Sequence, residues 1–253
     1  MRSLFRSRAP EPAVIEPDPT VFPKIEGANI AGVFVGKRMA GDFYDSIRVS
    51  PERVLFGLLD VAGRRGDNRD LLRIAQEIFR SSGPELFSGE DINESEVMTE
   101  LSIRLNRGLI ESSQGVHSCP AFIGCYHEKF GTLCYTNAGH TPGLLRDDSS
   151  VSELPPTGLP LGLFSHATLD APTVALEKNA ALLLVSRGVV ECSARGGESG
   201  PEFGLDRVKQ LLIADHESAA RALCTSILNA ADEFACRTPL SDDRTALALV
   251  RGA

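Results

Sequence analysis

Two short apolar runs open the patterned part of the chain, Ile30 to Val35 and Val54 to Leu59. Each is too short for a typical helix and predicts a strand, and Pro51-Glu52 between them marks a turn that predicts a hairpin. The period then changes. Leu71, Leu72, Ala75, Ile78 and Phe79 recur at helical spacing, as do Val97, Leu101, Leu105 and Leu109, which predicts helices over Leu71 to Phe79 and Val97 to Ile110. Ala121 to Tyr126 and Thr132 to Thr136 flank Glu128-Lys129-Phe130-Gly131 and predict a second hairpin, with Leu144-Leu145 continuing as a third strand. After a loop crowded with Pro155, Pro156, Gly158, Pro160 and Gly162, the run Ala180 to Val185 predicts a buried strand. Arg207 to Ile213 and Ala219 to Phe234 predict helices, and Thr245 to Val250 a last strand.

Hairpins followed by helix pairs, twice over, argue for an α+β domain with antiparallel sheets rather than an alternating βαβ chain. Residues 1–22 carry Pro10, Pro12, Pro17 and Pro19 with no sustained apolar period and predict a disordered or extended arm, leaving 23–253 as one domain.

A chain of 253 residues is long enough for one sizeable core. Its net charge of -8 argues against a nucleic-acid binder held by phosphate contacts, which needs a basic surface, and favours cations or basic partners. No run reaches the roughly 18 apolar residues of a membrane-spanning helix, and the N-terminus lacks the apolar core of a secretory signal. The expectation is a cytoplasmic protein with no membrane partner. Cys119, Cys125, Cys134, Cys192, Cys224 and Cys236 form no Cys-x-x-Cys pair and read as reduced, buried small residues; with His127, the first three are spaced too irregularly for zinc.

Several acids stand at predicted strand ends beside glycines: Asp42 and Asp45, then Asp60, then Asp242 and Asp243. Singly, each reads as a turn former. Together they have the oxygen chemistry of a site for Mg²⁺ or Mn²⁺, which take one or two carboxylates along with waters.

The motifs Pro23-Lys-Ile-Glu-Gly-Ala-Asn-Ile-Ala, Ala40-Gly-Asp-Phe-Tyr-Asp45, Leu59-Asp-Val-Ala-Gly63, Thr136-Asn-Ala-Gly-His-Thr-Pro142, Leu159-Pro-Leu-Gly-Leu163, Phe203-Gly204 and Ser241-Asp-Asp-Arg-Thr245 occur in order. In this the chain resembles the PPM-type metal-dependent protein phosphatases, and most closely their bacterial SpoIIE and RsbU-like branch, over roughly residues 20–251. The resemblance implies an αββα sandwich with a metal centre at one end of two antiparallel sheets. It implies hydrolysis of phosphoserine or phosphothreonine by a water activated on Mn²⁺ or Mg²⁺. Carried across, Asp60 resembles the bridging ligand, the Val61 carbonyl its companion, and Asp42 the acid that orients water on the first metal. Asp242 resembles the late aspartate on the second metal, with Asp243 in its place if the register differs by one.

Two departures stand out. The family's Thr-Asp-Gly is here Ser186-Arg187-Gly188, so a guanidinium that cannot ligate a cation replaces a carboxylate. One firmly held ion and a weakened second site follow. Beyond Asp60 the chain reads Gly63-Arg64-Arg65-Gly66-Asp67-Asn68-Arg69-Asp70, either a solvated helix start capped by Asp67 or Asn68, or a row in which Arg64, Arg65 and Arg69 face the cleft and bind phosphate, as Arg187 also would. His140 in its glycine turn reads as a structural hydrogen-bonder.

The resemblance implies a phosphatase acting on a phosphorylated regulatory protein of the anti-sigma-factor-antagonist type; with about 20 residues ahead of the fold in place of the sensory domain often fused there, the expectation is regulation by a separate sensor or regulator chain. Arg187 keeps open a pseudophosphatase that binds a phosphoprotein or a regulator without turnover, and a structural or dimerisation module stands as a third reading.

Overall fold

The computed structural model describes residues 18–36, 41–61, 65–112, 118–148, 150–166, 168–194, 200–216, 219–236 and 242–252. Most of the predicted N-terminal arm, and Arg64 among the proposed phosphate binders, lie outside them, as does the side chain of Arg65.

Among the described residues, ten strands form two five-stranded sheets. Strands β2 (Gly41–Ser50), β3 (Arg53–Val61), β4 (Ala121–His127), β5 (Thr132–Ala138) and β8 (Thr173–Ala175) make one, in that order. The other runs β1 (Ala28–Val35), β10 (Arg244–Arg251), β9 (Ala181–Val185), β6 (Gly143–Arg146) and β7 (Val151–Leu154). All pairings between these strands are antiparallel. Helices α1 (Arg65–Phe87) and α2 (Glu94–Ser112) cover the first sheet; α4 (Gly204–Ala214) and α5 (Ala220–Phe234) cover the second, with a short α3 (Arg187–Val190) at its end. The expected αββα sandwich is the observed one.

The period of two along each strand divides three apolar layers. Leu55, Leu59 and Val61 pack outward with Leu72, Phe79 and Leu101 under α1 and α2. Leu183, Val185, Ala246 and Ala248 pack outward with Leu212, Leu223 and Ile227 under α4 and α5. The alternate residues, Val54, Phe56 and Leu58 on β3 and Leu182, Leu184, Leu247 and Leu249 opposite them, fill the space between the sheets.

The predicted first hairpin is a correction. Ile30 to Val35 lies on β1, which pairs with β10 at the far end of the chain. The Pro51-Glu52 turn instead joins β3 to β2, a strand that apolar counting misses because Asp42, Asp45, Ser46 and Arg48 interrupt it. Asp42 and Asp45 are therefore strand residues, not turn formers. Asp45 points outward to α1, where Arg80 Nε donates to it at 2.7 Å, and Arg80 also reaches Asp18 at 3.0 Å. Burying a carboxylate is tolerable only with such a partner.

Three smaller differences follow the same logic. Leu144-Leu145 does not continue the β4–β5 sheet but crosses to the other one, beside β9. Helix α1 is described from Arg65, which places Asp67 and Asn68 in its first described turn, and it runs past Pro84 to Phe87. All six cysteines are free and five are buried, but Cys236 is exposed just beyond α5. Among the described residues, no helix is long and apolar enough to cross a membrane.

Candidate metal centre

The alternation that sends Val54, Phe56 and Leu58 between the sheets sends Asp60 there too, one rung past the last apolar one. Asp42 is its direct partner across the β2–β3 ladder. Directly opposed residues of an antiparallel pair project on the same side, with Cβ atoms about 5 Å apart. Two carboxylates, 4% and 5% exposed, thus face the end of the inter-sheet layer together.

The opposite sheet supplies their hydrogen bonds. Thr245 at the start of β10 donates its hydroxyl to Asp42 Oδ2 at 2.7 Å. Ser186, just past β9, bonds the same carboxylate, accepts the Thr245 N–H at 3.0 Å and donates its own N–H to the Thr245 carbonyl at 2.9 Å. Reading the sequence for acids alone passes over both hydroxyls; their signal is position, Ser186 where the apolar run of β9 ends and Thr245 within Ser241-Asp-Asp-Arg-Thr245. Asp60 is fixed from behind by its N–H to the Pro120 carbonyl at 2.9 Å.

Burial pushes the Asp42 carboxyl up to about 7, and the charges of Asp60 and then Asp242 push the same way against the Ser186 and Thr245 hydrogen bonds. Asp242 is also raised, by burial and by Asp60, with Arg187 opposing. Asp243 is buried, and its carboxyl packs against Gly36 so closely that a methyl group there would collide with it. Among the described residues, no group of three or more His, Cys, Asp or Glu side chains is close enough to hold one ion. The structure therefore joins Asp42 to Asp60 and places Asp242 within their field.

Arg187 stands at this pair. Its N–H donates to Asp60 Oδ2 at 3.2 Å, and Nη2 lies 3.8 Å from Asp60 Oδ1. Gly188 beside it lets the chain pass against the Asp243 carbonyl, where a side chain would clash. His140 is buried and held by structural bonds: its N–H donates to Asn137 Oδ1 at 2.9 Å, and Nδ1 meets the Thr141 hydroxyl at 3.0 Å. The Thr141 hydroxyl donates in turn to the Val185 carbonyl, tying this loop to the end of β9. Burial lowers the His140 pKa, although Asp60 pulls it up.

Two buried carboxylates that repel each other, with hydroxyl and carbonyl oxygens around them, fit one hard divalent cation. Val61's carbonyl lies against Gly41, beside Asp42, and any Cβ at residue 41 would run into it. Gly41→Ala is thus expected to cost about 1–3 kcal/mol, as overpacking does, and to weaken Mn²⁺ binding severalfold. A urea midpoint and a Mn²⁺ titration check this, and no change in either would show that β2 and β3 yield without disturbing the carboxylates.

Comparison with known proteins bears on the whole assembly. RsbU and RsbP of Bacillus subtilis (strain 168), both named phosphoserine phosphatases, are 27% and 25% identical over 181 and 157 residues, covering 70% and 62% of this chain. Those matches cover 51% and 38% of the relatives, so the chain spans about half or less of their length. Among solved structures, the RsbU and RsbW domains of Rv1364c from Mycobacterium tuberculosis align with TM-score 0.74 and 23% identity over 92% of this chain and 63% of that one. The SiaA PP2C domain of Pseudomonas aeruginosa aligns with TM-score 0.74 and 16% identity over 88% and 86%. RsbX, solved in complex with magnesium, shares the fold at TM-score 0.63 and 12% identity over 90% and 97%. A family model described as Stage II sporulation protein E (SpoIIE) matches residues 70–251, and the chain belongs to the SpoIIE family.

Proposed function

We propose that the chain is a metal-dependent protein serine/threonine phosphatase that acts on a phosphorylated regulatory protein, with one firmly held Mn²⁺ or Mg²⁺ and a degenerate second metal site. The observation that carries this reading is the Asp42–Asp60 pair, buried face to face at the sheet ends with Asp42 pushed up to about 7. Like charges so placed favour a cation between them. Asp42 and Asp60 would hold the ion, with the Val61 carbonyl and Asp242 beside it. When bound, the ion supplies an acidified water and neutralises phosphoryl oxygens.

The chain's own residues do the rest. Thr245 and Ser186 keep Asp42 in one orientation from the opposite sheet. Arg187 offers a planar fork to a phosphoryl group, and Arg64 and Arg65 belong to the same proposal by sequence alone. An anti-sigma-factor antagonist is the substrate class that the family resemblance implies, with a separate sensor chain as regulator; the Mycobacterium tuberculosis structure comprises an RsbU domain and an RsbW domain.

A second reading, binding without turnover, is favoured by one contact: Arg187 already neutralises Asp60 in part. Hydrolysis of p-nitrophenyl phosphate and of a phosphoserine protein separates the two. The expected result is turnover with Mn²⁺, loss in EDTA and recovery on adding Mn²⁺ back. A wild type that is inert with Mn²⁺ while Arg187→Asp is active would establish the second reading.

A further inference from the structure

The side chain of Arg187 lies between two carboxylates. Nη2 is 3.8 Å from Asp60 Oδ1, and Nε is 3.7 Å from Glu191 Oε2, four residues on at the end of α3. Both separations exceed the 2.7–2.9 Å or so of a closed charge-assisted hydrogen bond, so the guanidinium is committed to neither acid. Its backbone is committed, through the N–H donated to Asp60 Oδ2. The amide is thus fixed at the site while the fork, 44% exposed, has room to swing.

We propose that Arg187 and a divalent cation compete for Asp60, and that Glu191 is the positioning residue that takes Arg187 over when the ion binds. This rests on the reading of Asp42 and Asp60 as the cation site. A guanidinium stays charged at any physiological pH, so it cannot relieve repulsion from an ion by losing a proton and must move. The direction of movement is set by the charges around it. Asp242 also feels the charge of Arg187, but in the reading above it is counted with the residues beside the ion. Glu191 lies within reach of Nε; it too feels the charges of Asp60 and Asp242, but its side chain is 56% exposed where that of Asp60 is buried. Without an ion, Arg187 partly offsets the repulsion of Asp42 and Asp60. With one, the pair with Glu191 is what keeps Arg187 from contesting the ligand.

An ion pair of this exposure shifts an equilibrium by about two- to fivefold, and an apparent affinity falls with the fraction of molecules in the competent arrangement. Calorimetric titration of the full chain with Mn²⁺ alone tests the proposal in four forms: wild type, Glu191→Gln, Arg187→Met and the double variant. Glu191→Gln is expected to bind about two- to fivefold more weakly, and Arg187→Met about tenfold or more tightly. In the Arg187→Met background the Glu191 substitution should lose its effect. Equal weakening in both backgrounds overturns the proposal, since Glu191 would then act only through its own charge on the ion. Unchanged affinity in Arg187→Met overturns it as well, leaving the cation site standing. Failure of all four forms to bind Mn²⁺ overturns the cation site and the competition with it.

Discussion

Asp60→Asn is expected to lower Mn²⁺-dependent phosphatase turnover by about a thousandfold or more, with the fold intact. Asparagine keeps the shape of the side chain and the N–H bond to the Pro120 carbonyl, so β3 has no reason to move. What disappears is one of the two carboxylates that the structure brings together, along with the negative charge facing the Arg187 guanidinium. A hard cation left with Asp42 alone is both weakly held and poorly fixed, and several kcal/mol of transition-state stabilisation go with it. The loss should appear in kcat, should not be rescued by millimolar Mn²⁺, and should be accompanied by loss of Mn²⁺ binding in a titration. Thr245→Val, which removes one hydrogen bond to Asp42 and no ligand, should cost far less. Wild-type turnover in Asp60→Asn would move the chemistry away from the sheet ends altogether.

The layers of this fold were legible because apolar periods carry them. The run Ala181 to Val185 is buried throughout and reads as a central strand, and the spacing of Leu101, Leu105 and Leu109 reads as a helix face. Pairing was not legible in the same way. Strand β1 finds its partner β10 about two hundred positions away, and no local pattern reports such a pairing. Strand β2 was hidden because its polar residues meet polar partners: Asp42 stands opposite Asp60 across the ladder and Asp45 faces Arg80, where a strand with two apolar neighbours would carry apolar side chains. The acids of the centre were found by residue type and by family motif. The hydroxyls of Ser186 and Thr245 were not, since serine and threonine are common and only the closing of two sheets over one carboxylate distinguishes these two. The guanidinium at residue 187 was visible as a departure, but its placement between Asp60 and Glu191 required the turn into α3.

Without metal, the folded protein is expected to lose stability as the pH rises from about 4 to about 7. Asp42 has an ordinary value of 3.8 and is pushed up to about 7 in the fold, first by burial and then by Asp60. Between those limits the folded state keeps a proton that the unfolded chain releases, so the contribution is fully present below about 4 and is gone above about 7. A difference of about three units corresponds to about 4 kcal/mol, or on the order of 10 °C in Tm for a domain of this size. Burial lowers the values of His140 and His127, and those groups act in the opposite sense, adding stability as the pH rises toward about 6.5. The diagnostic quantity is therefore the difference between wild type and Asp42→Asn, measured by urea unfolding at pH 5 and pH 8 in EDTA. The variant, with no proton to lose at this position, should gain on the wild type by several kcal/mol between the two pH values. Mn²⁺ should reverse the order at pH 8, because an ion that binds only the folded, deprotonated pair adds its own binding free energy to the wild type alone. Equal pH slopes in wild type and variant would mean that Asp42 titrates as an ordinary carboxylate, and that the two acids at the sheet ends do not repel strongly enough to call for a cation.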